Sequence, residues 1–143
     1  MIYLVVGVPG SGKSLVCENL LRIVGDGKID YVHHDLYIGM GGSAYVKEIL
    51  KHRKHTPTAL TLTEAPFSVS LIRDPLLEAG EEVETFYIVE PEQIVSDRYL
   101  LRESKSIPRG HLTRQNTYWR RAHEEGAFVG TSNEVLKHLL GKF

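Results

Sequence analysis

A chain of 143 residues, 42% of them hydrophobic and 24% charged, has the size and balance of one globular domain. Its 17 Lys and Arg against 18 Asp and Glu leave a formal net charge of −1, which excludes a general nucleic-acid coat protein and confines any such contact to a local patch. The one cysteine, Cys17, excludes an internal disulfide and fits a reducing cytoplasm.

The run IYLVV at the start reads as a strand buried on both faces, the pattern of a parallel sheet. It is too short for a signal peptide and has no basic leader. No apolar run approaches the ~18 residues that a membrane span needs, so no membrane partner is expected. After GVPGSGKS comes SLVCENLLRIVG, where Leu15, Cys17, Leu20, Leu21 and Val24 recur at helical spacing and Gly25 and Gly27 are stop signals. This pattern makes Cys17 a small core residue and not a nucleophile.

KIDYVHHD predicts a second strand, and SAYVKEILKHRKH a helix with Ser43 as its N-cap. TALTLTEAP is a third strand, alternating and β-branched, ended by Pro66. SVSLIRDPLLEAG predicts a helix broken at Asp74–Pro75, because proline suits the first turn of a new helix. VETFYIV is the fourth strand, and EPEQIVSDRYLLRES opens a helix with Pro91 inside its first turn. RGHLTRQNTYWRRAHEEG gives another helix. AFVGTSNEVLKHLL gives a short last strand and a closing helix, with Thr131 and Glu134 at capping-box spacing. Strands alternating with helices predict an α/β sandwich with a mainly parallel five-stranded sheet, as one domain over 1–143. Ligands of such sheets bind at the carboxyl ends of the strands.

GVPGSGKS is Gly7, four residues (Val8, Pro9, Gly10 and Ser11), then Gly12, Lys13 and Ser14. Glycines let consecutive backbone N–H groups curl around phosphate oxygens, and the next helix points its positive end at the same place. Lys13 reaches the β- and γ-phosphates, and the Ser14 hydroxyl ligates Mg²⁺. The motif follows a buried strand and opens an amphipathic helix, the context of a P-loop, so ATP and Mg²⁺ are the expected cofactors. No Asn-Lys-x-Asp guanine-reading motif is present, and the third strand ends in one carboxylate, Glu64, and not in Asp-Glu. These features point to a small kinase of the P-loop NTPase class.

A kinase must position the acceptor, neutralise charge and supply a base for the hydroxyl. Asp35, directly after the second strand, is the candidate base. Glu64 is a candidate for a metal-bound water or the acceptor, with a surface or capping role equally open. His33 and His34 have no Cys or His at zinc spacing, so no zinc site is expected. From Arg98 to Arg121 seven Lys or Arg accompany one acid, Glu103, in an otherwise acidic chain. Guanidinium groups match a transferring phosphoryl group bidentately. Arg98 and Arg102, four apart on one helix face, are therefore candidate phosphate contacts in a helical lid over about residues 91–121.

Three segments, GVPGSGKS, HHDLY and RYLLRESKSIPRGHLTRQNTYW, resemble the bacteriophage-type polynucleotide 5′-hydroxyl kinases. The third carries the lid pattern as Arg98, Arg102, Lys105, Ile107 and Pro108. The resemblance implies that Lys13 and Ser14 bind the triphosphate and Mg²⁺, that Asp35 is the base, that Arg102 and Arg98 bracket the phosphate, and that adenine lies near Gly130–Ser132, including Thr131. Where the family often has an arginine shortly after the aspartate, this chain has Ile38 and no arginine before Arg53. That departure leaves room for another hydroxyl, such as 5-hydroxymethyluracil in DNA, the substrate of a compact phage relative. The expected partner is thus a nucleic-acid substrate, DNA foremost. Lys51–His55, with Tyr37 and Tyr45, is the candidate contact, a solvated helix end being the alternative. A kinase of a free nucleoside, nucleotide or sugar is the alternative activity, and an ATP-binding switch without transferase activity the alternative class.

Overall fold

The computed structural model describes residues 1–25, 27–34, 39–65 and 68–143. Five strands, β1 (Ile2–Val6), β2 (Ile29–Val32), β3 (Leu60–Ala65), β4 (Val83–Ile88) and β5 (Phe128–Gly130), form one sheet in the order β2-β3-β1-β4-β5. Every pairing is parallel, so the sheet is wholly and not mainly so. Helices α1 (Lys13–Val24), α2 (Gly41–His55), α3 (Val69–Glu78), α4 (Glu92–Glu103), α5 (Arg109–Glu125) and α6 (Ser132–Leu140) cover it.

Both faces of the sheet are buried, which is why IYLVV carries no polar alternation. Ile2, Leu4 and Val6 point to one face with Tyr45, Ile49, Ile72 and Leu76 of α2 and α3 and with Val95 and Tyr118 of α4 and α5. Val5 points to the other, with Val16, Cys17 and Leu20 of α1 and Val135 and Leu139 of α6. Each such aliphatic side chain contributes about 1.5–3 kcal/mol by leaving water. The strand order reverses at β1, and this puts the loop after β1 at the centre of the sheet's carboxyl rim. No helix among the described residues is long and apolar enough to cross a membrane.

Four local expectations change. Leu15 is exposed, and the buried stripe of α1 is Val16, Cys17 and Leu20. Ser43 lies inside α2, whose N-cap is Met40, and Pro91 is the N-cap of α4, one position outside it. The α3 helix runs unbroken through Pro75. Ile72 and Leu76 are buried on either side of that proline, so packing holds both turns in line. The carbonyl that Pro75 would displace belongs to Leu71, an exposed residue with water at hand.

The basic groups divide by helix polarity. Since α2 runs back against the strands, its last turn lies at the amino ends of β2 and β3. There His52 Nδ1 sits 2.9 Å from Asp30 Oδ2, and Arg53 donates to Ala59 O at 2.7 Å and pairs with Glu81 at 3.3 Å. The run at 51–55 is therefore on the rim opposite the P-loop. Tyr45 is buried with its hydroxyl on Thr63 and on Glu64 O, so it is no stacking platform, and Tyr37 lies outside the described residues. Arg121 is likewise structural. It donates to Ser70 Oγ at 2.7 Å and, with Arg73 and the Tyr87 hydroxyl, holds the Glu125 carboxylate.

Candidate active site

The P-loop is built as its spacing requires. Ser11 N donates to Val8 O at 3.0 Å, closing a turn directly after β1. A Cβ on Gly7 would collide with the Ser11 hydroxyl, which is itself buried. Gly12, the N-cap of α1, stands at φ 93°, where a Cβ is strained, and makes no side-chain cap bond. The first amides of α1 thus lack intrahelical acceptors and face the loop, an arrangement that suits phosphate oxygens. Gly10 lies against α4, where a Cβ would be 3.0 Å from Val95 O, so Gly10 is on the side of the loop nearest α4.

Glu64 belongs to this site. Alternation along β3 puts it on the α1 face with Leu62, where it is fully buried. Ser14 Oγ, at the second position of α1, donates to its Oε1 at 2.6 Å. Its Oε2 accepts from His34 N at 3.2 Å and faces His33 Nδ1 at 3.7 Å. The other His33 nitrogen is 3.4 Å from Glu18. His34 turns instead to α2, edge-on to Tyr45. Below Glu64, the hydroxyl of Tyr31 and the thiol of Cys17 have pKa values raised chiefly by burial, so both stay protonated beside it. A hydroxyl and a carboxylate in contact at the mouth of a phosphate loop form the hard oxygen donor set that Mg²⁺ takes. Among the described residues no cluster of three His, Cys, Asp or Glu has metal-holding geometry, so a cation here needs phosphate and water oxygens as well.

Of the two candidate arginines of α4, Arg98 is the one that touches the loop. Its Nη1 donates to Ser11 O at 3.1 Å and lies 3.6 Å from Glu90 Oε2. Arg102, one turn on, pairs with Glu103 at 2.9 Å and rests 5.8 Å from the Tyr99 ring. Thr131 caps α6: its hydroxyl accepts from Glu134 N at 3.3 Å and its own amide donates to Glu134 Oε1 at 3.0 Å. Beside the P-loop in that segment is Ser132, whose Cβ would stand 3.4 Å from a Cβ on Gly12. Asp35 lies outside the described residues.

Sequence reasoning missed Glu90, Gln115 and His111. Glu90 follows β4 by two residues, and the rule that singled out Asp35 and Glu64 would have found it. Gln115 and His111 left no such signal, since their places depend on how α5 packs. His111 packs edge-on to Tyr99, and its pKa is lowered by burial first, then by the charges of Arg114, Lys13 and Arg102. Charges from α4, α5 and the phosphate loop therefore all act on the His111 ring.

A pH effect follows. Above pH 6.5, the ordinary value for the ring, His111 is neutral folded and unfolded and contributes nothing. As pH falls through that value the unfolded chain takes up its proton first, so stability falls until pH passes the lower folded-state pKa. Melting curves between about pH 7.5 and pH 5 are expected to show a shallower loss of Tm in His111→Gln than in the wild type. An unchanged slope would remove His111 from the cluster.

No protein-family profile matches the chain, and no curated protein matches it in sequence. Solved structures do match. A gluconokinase from Sinorhizobium meliloti has a TM-score of 0.60 at 17% identity, over 94% of this chain and 86% of that one. A shikimate kinase from Acinetobacter baumannii, in complex with shikimate, has 0.63 at 15%, over 97% and 90%. A sugar kinase from Janibacter has 0.64 at 16%, over 98% and 92%. At such identities the likeness fixes the fold. It is that of the small P-loop kinases, as the alternation of strands and helices predicts.

Proposed function

We propose that the chain is an ATP- and Mg²⁺-dependent phosphotransferase whose acceptor is the hydroxyl of a small molecule, a sugar or sugar-like acid first. The observation that carries the kinase reading is the Ser14–Glu64 hydrogen bond, which sets a buried carboxylate against the hydroxyl that opens α1. In this reading the amides of Gly10 to Ser14 and the Lys13 ammonium hold the β- and γ-phosphates. Ser14 and Glu64 hold Mg²⁺, which neutralises phosphate charge when bound. Arg98 and Arg102 meet the charge that spreads over the γ-phosphoryl oxygens. The acceptor oxygen forms its bond to the γ-phosphorus as the bond to the β,γ-bridging oxygen breaks. The hydroxyl proton passes to Asp35, and ADP leaves.

Two things favour a small acceptor over the nucleic acid suggested by the lid pattern. The structures this chain resembles carry the names of gluconate, shikimate and sugar kinases. Of the basic run at 51–55, offered by the sequence with Tyr45 as a nucleic-acid contact, His52 and Arg53 are tied up on the far rim, and Tyr45 is in the core.

The test is transfer of label from γ-³²P-ATP, with Mg²⁺, into a panel of acceptors. The panel holds sugars, sugar acids and cyclic polyols, nucleosides and nucleotides, 5′-hydroxyl DNA and RNA, and end-blocked DNA containing 5-hydroxymethyluracil. Label in a small acceptor, abolished by Asp35→Asn with ATP binding kept, is the expected outcome. Label in polymer alone, with KM rising steeply with salt, would return the nucleic-acid reading. ATP binding with no transfer to any acceptor would favour the switch.

A further inference from the structure

Glu90 and Gln115, both buried, form a polar joint beside the site that the phosphotransfer reading does not use. The Gln115 side chain clamps the Glu90 main chain in both directions: Glu90 N donates to Gln115 Oε1 and Gln115 Nε2 donates to Glu90 O, each at 3.0 Å. Held in this way, the Glu90 carboxylate has its two oxygens divided. Oε1 accepts from Ser132 N, at the first turn of α6, at 2.5 Å. Oε2 is 3.6 Å from Arg98 Nη1, and that guanidinium nitrogen also bonds Ser11 O. One residue thus joins the end of β4 to α5 through its main chain, to the start of α6 and to α4 through its carboxylate, and to the phosphate loop through Arg98.

We propose that Glu90 is the positioning residue of the nucleotide site, fixing Arg98 and the α6 N-terminus together beside Gly12. The argument is one of fit. Arg98 Nη1 and Ser132 are the side chains that a Cβ on Gly12 would meet, at 3.1 and 3.4 Å, so they form the wall of the loop on that side. The Arg98 side chain is 40% exposed and long, and without an anion at its root it samples many rotamers. A guanidinium restrained by a buried carboxylate is presented to an incoming phosphate or base with that entropy already lost. The carboxylate also satisfies an orphan amide of α6 and suits the positive end of that helix, so it holds both parts of that wall at once. Glu90 touches no substrate in this scheme and acts through Arg98.

This inference rests on the nucleotide-site reading, and the experiment keeps the two apart by measuring binding without an acceptor. A fluorescent ATP analogue is titrated into wild type, Glu90→Gln, Arg98→Ala and the double variant, with Mg²⁺ and a melting curve for each. Glu90→Gln keeps an oxygen for Ser132 N and the size of the side chain, and removes the charge that restrains Arg98. Its Kd is expected to rise about three- to tenfold with little change in Tm. In the Arg98→Ala background the same change is expected to do nothing further, because a residue acting through Arg98 has nothing left to position. Equal Kd values for wild type and Glu90→Gln, additive losses in the double variant, or tighter binding by Glu90→Gln would each overturn the proposal. Tighter binding would mean that Glu90 competes with the nucleotide for Arg98. Failure of the wild type to bind the analogue would instead overturn the nucleotide-site reading itself.

Discussion

Lys13→Ala is expected to lower the rate of phosphoryl transfer at least ~10²-fold, the loss typical of removing a charge aimed at developing negative charge. The side chain leaves the first residue of α1 and is not one of the buried residues of that helix. Folding should survive. Below pH 6.5 the apo variant should lose less stability than the wild type, since Lys13 adds to the positive field that lowers the His111 pKa. Single-turnover transfer and nucleotide binding, measured side by side, separate the two roles of the lysine. A fall in rate much larger than the fall in affinity places its work in the transition state, and equal falls place it in ground-state binding. An NMR titration adds a check that needs no turnover: the His111 ring pKa should rise in Lys13→Ala. Near-wild-type transfer would remove Lys13 from the machinery, whatever the ring does.

The P-loop was legible because its requirements are local. Gly12 must be left-handed and Gly7 must lie against Ser11, and both demands arise within eight residues. The sheet was legible because parallel strands buried on both faces leave continuous apolar runs such as IYLVV. The capping box of Thr131 and Glu134 is local too, and it stands as the spacing predicts. That same cap occupies the amide and the acceptor of Thr131, and it is Ser132 that adjoins Gly12.

Charge was legible as a quantity and not as a destination. Arg98 and Arg121 are alike in sequence, yet one lies on the phosphate loop and the other ties α5 to Ser70. What separates them is the helix each occupies, Arg98 midway along α4 and Arg121 towards the end of α5. The run at 51–55 is different, since topology alone would have sufficed. A helix that follows a parallel strand returns to the amino rim, so basic residues in its last turn point away from any ligand at the carboxyl rim. Pro75 misled for the opposite reason, because its local preference yields to Ile72 and Leu76 buried on both sides.

Glu64 was balanced between a capping and a metal role in the sequence, and Glu64→Gln now distinguishes them. The wild-type carboxylate accepts two hydrogen bonds on separate oxygens, from Ser14 Oγ and from His34 N. A carboxamide has one oxygen. The His34 amide can only donate, so that oxygen turns to it, and the new NH₂ faces the Ser14 hydroxyl, which can rotate to accept. Both hydrogen bonds are then still made, and a stability loss of about 1–3 kcal/mol is the most expected. One of the two Ser14 lone pairs, however, is spent on the amide, and the negative charge is gone. Both are what a hard divalent cation needs. Transfer should fall at least ~10²-fold at a fixed Mg²⁺ concentration, and the concentration giving half-maximal rate should rise. Titrating Mg²⁺ against transfer rate, with a melting curve for each protein, reads both effects. A lower Tm with an unchanged Mg²⁺ midpoint and rate would make Glu64 a strand-end carboxylate that holds Ser14 and His34 in place. A shifted midpoint with a nearly unchanged Tm would make the pair of Ser14 and Glu64 the cation's protein ligands, and the buried position of the carboxylate would then be the means by which the sheet sets the metal against the phosphate loop.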